Sequence, residues 1–238
     1  MKNTTLFFLL LILIVSCEKD RLPQELSNVM VLKVENNNAD SDNFSKVKLI
    51  AEFPEEFSTE EDNKVDFYIM KDDEEKLIGD IRLVEQNGVL KRVAEVFVKY
   101  NKAETLVVKA VIKIDGVEFS KSTTIDFEKA YLENIIISSS SLEVNNQSFE
   151  TITLTTQLSR EKGFVTLNTI ANTKAYDNMG NPIGAFLDYK NKTDENGRIT
   201  NLFTLGNSNY VGPITIVSET LGSDNLPFPP FTLTLYSN

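Results

Sequence analysis

The chain has 238 residues, with 24 Lys and Arg against 35 Asp and Glu, a formal net charge of −11 at pH 7. Phosphate backbones repel so acidic a chain, so we expect no nucleic-acid partner. The chain has no His and a single Cys, which excludes Ser-His and Cys-His catalytic pairs and imidazole metal ligands. We therefore predict no catalytic residue, no metal and no cofactor.

The chain begins with a short apolar run from Leu6 to Val15, behind a single basic residue, Lys2. The run is shorter than the about 20 residues that span a bilayer as a helix, and it matches the roughly 7–15-residue core of a cleaved signal. With Ser16 and then Cys17, the order resembles the lipobox of bacterial lipoprotein signal peptides. The resemblance implies that residues 1–16 are removed and that acyl chains on Cys17 anchor the protein in a membrane. An ordinary signal peptide, or a short anchor with an incidental cysteine, is the alternative.

Charged residues follow the cysteine directly, as Glu18-Lys19-Asp20. They resemble the export signals of Bacteroidota lipoproteins that are sent to the cell surface. We therefore expect residues 17–27 to form a lipidated tether. The resemblance implies a lipid-anchored protein of the bacterial outer membrane that is exposed on the surface.

Beyond the tether, nearly every apolar segment alternates with polar residues, which is the period of a half-buried strand. The predicted strands are Val29–Val34, Val47–Phe53, Val65–Met70, Leu90–Tyr100, Leu106–Ile114, Thr123–Phe127, Ile135–Ile137, Ile152–Leu158, Phe164–Ile170, Ile183–Tyr189, Ile199–Leu205, Ile214–Glu219 and Phe231–Tyr236. Asn, Asp, Gly and Pro separate them, which is typical of antiparallel sandwiches. The sequence thus predicts an all-β fold of two tandem immunoglobulin-like antiparallel β-sandwiches, over residues 28–130 and 131–238.

The two halves also resemble each other at three places in the same order. Phe44–Leu49 matches Phe149–Leu154, Asn87–Leu90 matches Asn196–Ile199, and Thr124–Phe127 matches Leu233–Tyr236. A period of about 105 residues is the size of one immunoglobulin-like sandwich. This favours a duplication with its boundary near residues 130–133, and chance similarity between strands of like composition is the alternative.

Two turns of the second half carry a more specific pattern. Residues 177–183 read D-x-x-G-x-P-hydrophobic, and residues 193–200 read T-D-x-x-G-x-hydrophobic-T. In such turns Asp caps the backbone, and Gly supplies the positive φ that precedes the next strand. Both resemble turns of invasin- and intimin-type bacterial immunoglobulin-like repeats, over about residues 140–238. Such repeats mostly act as spacers and presenting modules in adhesins, so the resemblance implies a structural or interaction role.

Acidic clusters and one serine motif are candidate chemical sites. Glu55-Glu56, Glu60–Asp62 and Asp72–Glu75 could share a calcium ion, but their spacing matches no known calcium loop. Solvated loops are the preferred interpretation, and weak calcium binding is left open. Ser159 and Lys162 match the S-x-x-K pattern of acyl-transfer enzymes, which needs a helix. Because the motif ends at Gly163 between predicted strands, we expect a hairpin loop without catalysis.

Aromatic residues are the remaining binding feature. Tyr176, Tyr189 and Tyr210 lie in or beside predicted turns, and they are candidates for a partner surface that binds a protein or a glycan. Packing is the preferred interpretation, since glycan platforms depend heavily on Trp and the chain has none. For residues 227–231 we expect an extended edge segment whose phenylalanines close the end of the sandwich.

These features together favour a non-enzymatic, surface-anchored lipoprotein whose modules act as spacer, adhesion or protein-interaction domains. The partners are then the membrane, through the lipid, and an unknown protein or glycan. A carbohydrate-binding accessory lipoprotein of a polysaccharide-uptake system is the alternative.

Overall fold

The computed structural model describes residues 30–53, 64–72, 74–82, 84–86, 89–114, 117–223 and 225–238. Within these ranges the chain is all-β, and no helix could cross a membrane. The strands are β1 (Val31–Glu35), β2 (Ala39–Asp40), β3 (Val47–Phe53), β4 (Lys64–Lys71), β5 (Glu74–Arg82), β6 (Val84–Gln86), β7 (Val89–Val98), β8 (Thr105–Ile114), β9 (Val117–Glu128), β10 (Asn134–Ser139), β11 (Glu143–Val144), β12 (Gln147–Ser148), β13 (Ile152–Ser159), β14 (Ala171–Tyr176), β15 (Ala185–Leu187), β16 (Arg198–Thr204), β17 (Gly206–Asn207), β18 (Gly212–Thr220) and β19 (Phe231–Ser237). The predicted signal peptide, Cys17, the tether, Asn87-Gly88 and the acidic clusters at residues 55–56 and 60–62 lie outside the described residues.

The two sequence halves fold with the same strand order. In the first half the sheets have the orders β1-β3-β7-β6 and β2-β9-β8-β4-β5. In the second half the matching orders are β10-β13-β16-β15 and β11-β19-β18-β14, and β12 and β17 form a separate short pair. Strand β5 has no counterpart among the described strands of the second half. The agreement confirms the predicted repeat at the level of topology.

In each half, the first two strands belong to different sheets. β1 pairs antiparallel with β3, whereas β2 pairs parallel with β9, where Ala39 faces Phe127. Likewise β10 pairs antiparallel with β13, and β11 pairs parallel with β19, where Glu143 faces Tyr236. Phe127 and Tyr236 therefore hold equivalent positions, as the repeat predicts. These parallel pairs are local departures from an otherwise antiparallel arrangement of the described strands.

Alternation of apolar and polar residues sets which face of each strand is buried. In β13, the side chains of Ile152, Leu154, Thr156 and Leu158 are buried and those between them are half-buried. Buried side chains from both sheets of the second half then join in one cluster, among them Leu154, Phe203, Ile214, Ile216 and Leu235. Each such side chain contributes about 1.5–3 kcal/mol through its removal from water.

The predicted strand Phe164–Ile170 is wrong. Its N–H groups bind carbonyls of three separate segments: Phe164 to Asp42 at 2.9 Å, Thr166 to Ala130 at 3.1 Å and Leu167 to Asn101 at 2.8 Å. Asn168 also has a φ of 65°, which no regular strand contains. Tertiary hydrogen bonds thus outweigh the alternation of this segment. The strand begins only afterwards, as β14.

Contacts divide the chain into two compact units. The described core of unit 1, which contains residues 48–97 and 106–124, includes the fully buried Leu49, Phe67 and Ile112. Unit 2 contains residues 36–47, 98–105 and 125–238, and therefore draws two short segments from the first sequence half. The domain boundary predicted near residues 130–133 stays a prediction.

Candidate binding surfaces

Two of the three tyrosines predicted as a partner surface use their hydroxyls within the protein. Tyr189 Oη accepts a hydrogen bond from the Thr173 N–H at 3.0 Å, although 45% of the residue is exposed. Tyr210 Oη donates to the Pro213 carbonyl at 2.7 Å and accepts from the Asn178 N–H at 3.2 Å. Their hydroxyls therefore hold loops in place. The use of these rings, and that of Tyr176, as a partner surface stays a prediction.

Tyr189 belongs to a set of contacts that cover the outer edge of β14. The Ala171 N–H donates to the Asn191 carbonyl at 3.0 Å, the Thr173 N–H donates to Tyr189, and the Ala175 carbonyl accepts from the Ile183 N–H at 3.1 Å. An edge strand otherwise offers its free backbone groups to any other extended chain. Residues 183–191 thus close this side of the sheet.

Replacing Tyr189 with Phe is expected to lower the free energy of unfolding by about 1–2 kcal/mol, because the Thr173 N–H loses its acceptor. Urea denaturation measures the change. Tyr176→Phe is the matched control, since its hydroxyl has no hydrogen bond in the described part of the chain, and we expect little change. Equal losses in the two variants would contradict this role of Tyr189.

The two Asp-x-x-Gly turns share one geometry. The Asp177 N–H donates to the Asn181 carbonyl, and the Asp177 carboxylate accepts from the N–H groups of Met179 and Asn181, each at 2.8 Å. Asp194 repeats the pattern with the residues two and four positions on, whose N–H groups lie 2.9 Å from its carboxylate. The predicted capping by Asp is confirmed at both turns. These carboxylates are therefore occupied as structural acceptors.

Hydrogen bonds hold the pKa of Asp177 below its ordinary value, first from the Asn181 side chain and then from the N–H groups of Asn181, Met179 and Gly180. Replacing Asn181 with Ala is expected to raise this pKa toward its ordinary value, and carboxyl-detected NMR titration measures it. Because the folded pKa is lowered, the turn's contribution to stability is present above the unfolded pKa and is lost as pH falls through the folded pKa. Asn178→Ala is the control. An unchanged Asp177 pKa in the Asn181 variant would contradict the prediction.

A groove of about 680 Å³ lies where β14 begins, β18 ends and β19 begins. Ile170 and Leu221, each about half exposed, form its apolar walls with the segment 227–230. Lys129 and Glu219 supply one charge of each sign. The groove was not predicted, because its walls come from separate parts of the chain.

The phenylalanines of the Pro-rich segment close the end of this sandwich. Phe228 and Phe231 are half-buried and pack against a cluster that includes Leu132, Ile135 and Leu158. This confirms the expected role of their side chains.

The S-x-x-K segment contains an ion pair and no helix. Ser159 ends β13, and residues 160–163 are irregular. The hairpin predicted here is wrong, because the next strand, β14, pairs with β18 and not with β13. Arg160 Nη2 lies 2.6 Å from Asp40 Oδ2, and Nη1 lies 3.7 Å from Asp42 Oδ2. The sequence offers no local signal for this pair, since its members are far apart in the chain.

Among the described residues, no group of three or more Asp, Glu, Cys or His side chains is placed to hold a metal ion. Two of the three acidic clusters fall outside these residues. Calcium binding by the acidic loops is therefore left as open as the sequence left it.

Neither a protein-family model nor a curated protein matches the chain. Solved structures do match it. The adhesin InvE of Yersinia pseudotuberculosis is similar at 12% identity over 89% of this chain and 61% of that one, with a TM-score of 0.50. Invasin, a bacterial integrin-binding protein, is similar at 12% identity over 88% of this chain and 39% of that one, with a TM-score of 0.55.

The fold is therefore all-β and immunoglobulin-like, as in the matched parts of InvE and invasin, which confirms the predicted fold class. The D0–D1 region of intimin also matches, at 17% identity over 85% of this chain and 97% of that one, but a TM-score of 0.30 is too low to show a shared fold. The chain spans less than two thirds of the length of InvE and of invasin. The likeness thus concerns the modules and not the whole adhesins.

Proposed function

We propose that this chain is a non-enzymatic, lipid-anchored protein of the bacterial cell surface, whose immunoglobulin-like modules act as spacer and adhesion or protein-interaction domains. The observation that carries the proposal is the fold that it shares with InvE and invasin over 89% and 88% of its length. One of these is an adhesin, and the other is an integrin-binding protein. A protein ligand is therefore the first partner class to test.

Exposed apolar side chains on well-held turns support a protein partner. Met179 is 79% exposed in the turn that Asp177 caps, and Val211 is 72% exposed beside Tyr210. Asn178 and Tyr210 are hydrogen-bonded, so these two side chains belong to neighbouring loops. Loops on a rigid sandwich commonly carry binding residues, and exposed apolar groups favour contact with another protein.

Capture of partners by the intact protein on living cells tests this proposal. We expect covalent capture of a protein partner by the unchanged chain, and its loss when Met179 and Val211 are both replaced with Lys. The matched control replaces Ile136 and Leu202 with Lys, since both are exposed on the opposite sheet. A glycan array that yields a ligand, together with no captured protein, would favour the carbohydrate-binding alternative.

The membrane attachment rests on Cys17 alone, because the apolar run before it is too short to span a bilayer. Replacing Cys17 with Ala is expected to move the protein from the membrane fraction to the soluble fraction, since the acyl chains are lost. Cell fractionation with immunoblotting measures the distribution. Ser16→Ala is the control, because it keeps a small residue before the cysteine and should stay with the membrane. A Cys17 variant that stays there, processed like the unchanged chain, would overturn the anchor.

A further inference from the structure

One edge of the second sandwich is open along half of β19. Residues that face each other in an antiparallel pair alternate between pairs that exchange hydrogen bonds and pairs that do not. Tyr236 faces Pro213, which has no N–H, and the Tyr236 N–H donates to the Leu142 carbonyl at 2.8 Å. The backbone groups of Tyr236 therefore point away from β18. By the same alternation, those of Thr234 and Thr232 point the same way.

Nothing in the described part of the chain occupies these groups of Thr232 and Thr234. Strand β11 pairs with β19 only at Tyr236 and Ser237. Both threonines are exposed, and no hydrogen bond to either joins them to a residue on that side. The outer edge of β14, by contrast, is covered by residues 183–191. The β19 edge thus offers free donors and acceptors in the register of a strand.

We propose that this edge pairs with the same edge of a second copy of the chain, antiparallel, with Leu233 opposite Leu233 of the second copy. In this register Thr232 faces Thr234 of the other copy, and Thr234 faces Thr232. Each of these pairs exchanges both of its N–H···O bonds, so every free backbone group of the two threonines in both copies finds a partner. A register moved by one residue would leave all of them unpaired.

The side chains of the edge suit a second copy. Residues 231–237 read Phe-Thr-Leu-Thr-Leu-Tyr-Ser and contain no charge, so no like charges of these strands face each other across the pair. Opposed threonines on one face form a favourable cross-strand pair. The half-buried Leu233 meets its own copy on the other face. Because β11 limits the contact to a few residues, the dimer is weak and depends on concentration.

Amide hydrogen exchange of the full chain in detergent tests this pairing, measured over about a hundredfold range of protein concentration. The N–H groups of Thr232 and Thr234 should exchange at least about tenfold more slowly at the high end. Those of Leu233 and Leu235, which face β18, should be slow throughout. Sedimentation in the same detergent should show dimers over the same range, and a peptide with the sequence of residues 231–237 should dissociate them.

Two variants separate edge pairing from other association. Thr234→Pro removes an N–H that no strand in the described part of the chain uses. Thr232→Lys with Thr234→Lys places Lys opposite Lys in the pair. Both variants should weaken dimerisation at least about tenfold without unfolding the protein. Thr151→Lys with Thr200→Lys adds the same charge at other exposed positions and should leave it unchanged. A monomer at every concentration, or dimers that both edge variants retain, would overturn the proposal. Protection of Thr232 and Thr234 only by an unrelated extended peptide would overturn it in favour of a foreign strand.

Discussion

Replacing Asp42 with Ala is expected to lower the free energy of unfolding by about 3–5 kcal/mol. The residue is 2% exposed, and its Oδ1 accepts from the N–H groups of Phe44 at 2.8 Å and Ser45 at 2.6 Å. Its Oδ2 accepts from the Ser45 hydroxyl at 3.0 Å and lies 3.7 Å from Arg160 Nη1. The variant thus removes three hydrogen bonds and one of the two carboxylates beside a largely buried guanidinium. Urea denaturation of the whole protein, followed by far-ultraviolet circular dichroism, measures the loss.

Two further variants divide this effect. Asp42→Asn keeps Oδ1 as an acceptor for the turn but removes the charge that faces Arg160, so we expect a smaller loss of about 1–2 kcal/mol. Glu161→Ala removes an exposed carboxylate from the same surface and should change stability by less than about 0.5 kcal/mol. If Asp42→Ala costs no more than Glu161→Ala, the buried pair contributes nothing to stability.

Replacing Gly197 with Ala is expected to cost about 2–4 kcal/mol, as the sum of backbone strain and overpacking. Gly197 has a φ of 74°, which L-residues with a Cβ rarely adopt. An added Cβ would lie 2.5 Å from the Leu158 carbonyl oxygen and 3.2 Å from Val165 Cγ2. The nearest atom is backbone within β13, so it cannot move aside without disturbing the Leu158 N–H bond to the Gly197 carbonyl at 2.9 Å. Thermal and urea unfolding measure the change.

Gly180 is the matched control for Gly197, because it holds the same place in the other Asp-x-x-Gly turn. Its φ is 85°, but an added Cβ would meet nothing within 4 Å. Gly180→Ala should therefore carry only the backbone strain, about 1 kcal/mol. Equal losses at the two glycines would show that the contact with β13 is unimportant.

The Asp-Gly turns and the apolar strands could be predicted from the sequence because each is a local pattern, and the repeat could be predicted because its motifs recur in the same order. Asp177 and Asp194 bind backbone groups within four residues of themselves, so their chemistry can be read from spacing alone. Strand Val47–Phe53 was predicted with its observed bounds, and its apolar residues are the ones that the fold buries. β5 was missed, since its first residues, Glu74 and Glu75, carry charge and lack the apolar alternation on which strand prediction rests.

The contacts of the candidate tyrosines could not be predicted from the sequence, for a physical reason. Tyr189 and Tyr210 were considered for a partner surface because they lie near turns. In the fold the Tyr189 hydroxyl binds a backbone group of β14, and the Tyr210 hydroxyl binds backbone groups of β18 and of the turn at Asn178. A tyrosine carries an apolar ring and a polar tip, and only the position of other chain segments decides which of them meets solvent. The groove beside Ile170 could not be predicted for the same reason, because its walls come from segments that are far apart in the sequence.

The sequence by itself determined the all-β class, the alternation that builds the strands, the capped turns and the acidic charge, since each depends on residues a few positions apart. Tertiary structure alone decided that Phe164–Ile170 is irregular, that Arg160 meets Asp42, and which sheet edge is closed. Backbone donors must find acceptors wherever the fold brings them, and these partners lie far apart along the chain. For the same reason the open edge at Thr232 and Thr234 is visible only in the folded protein.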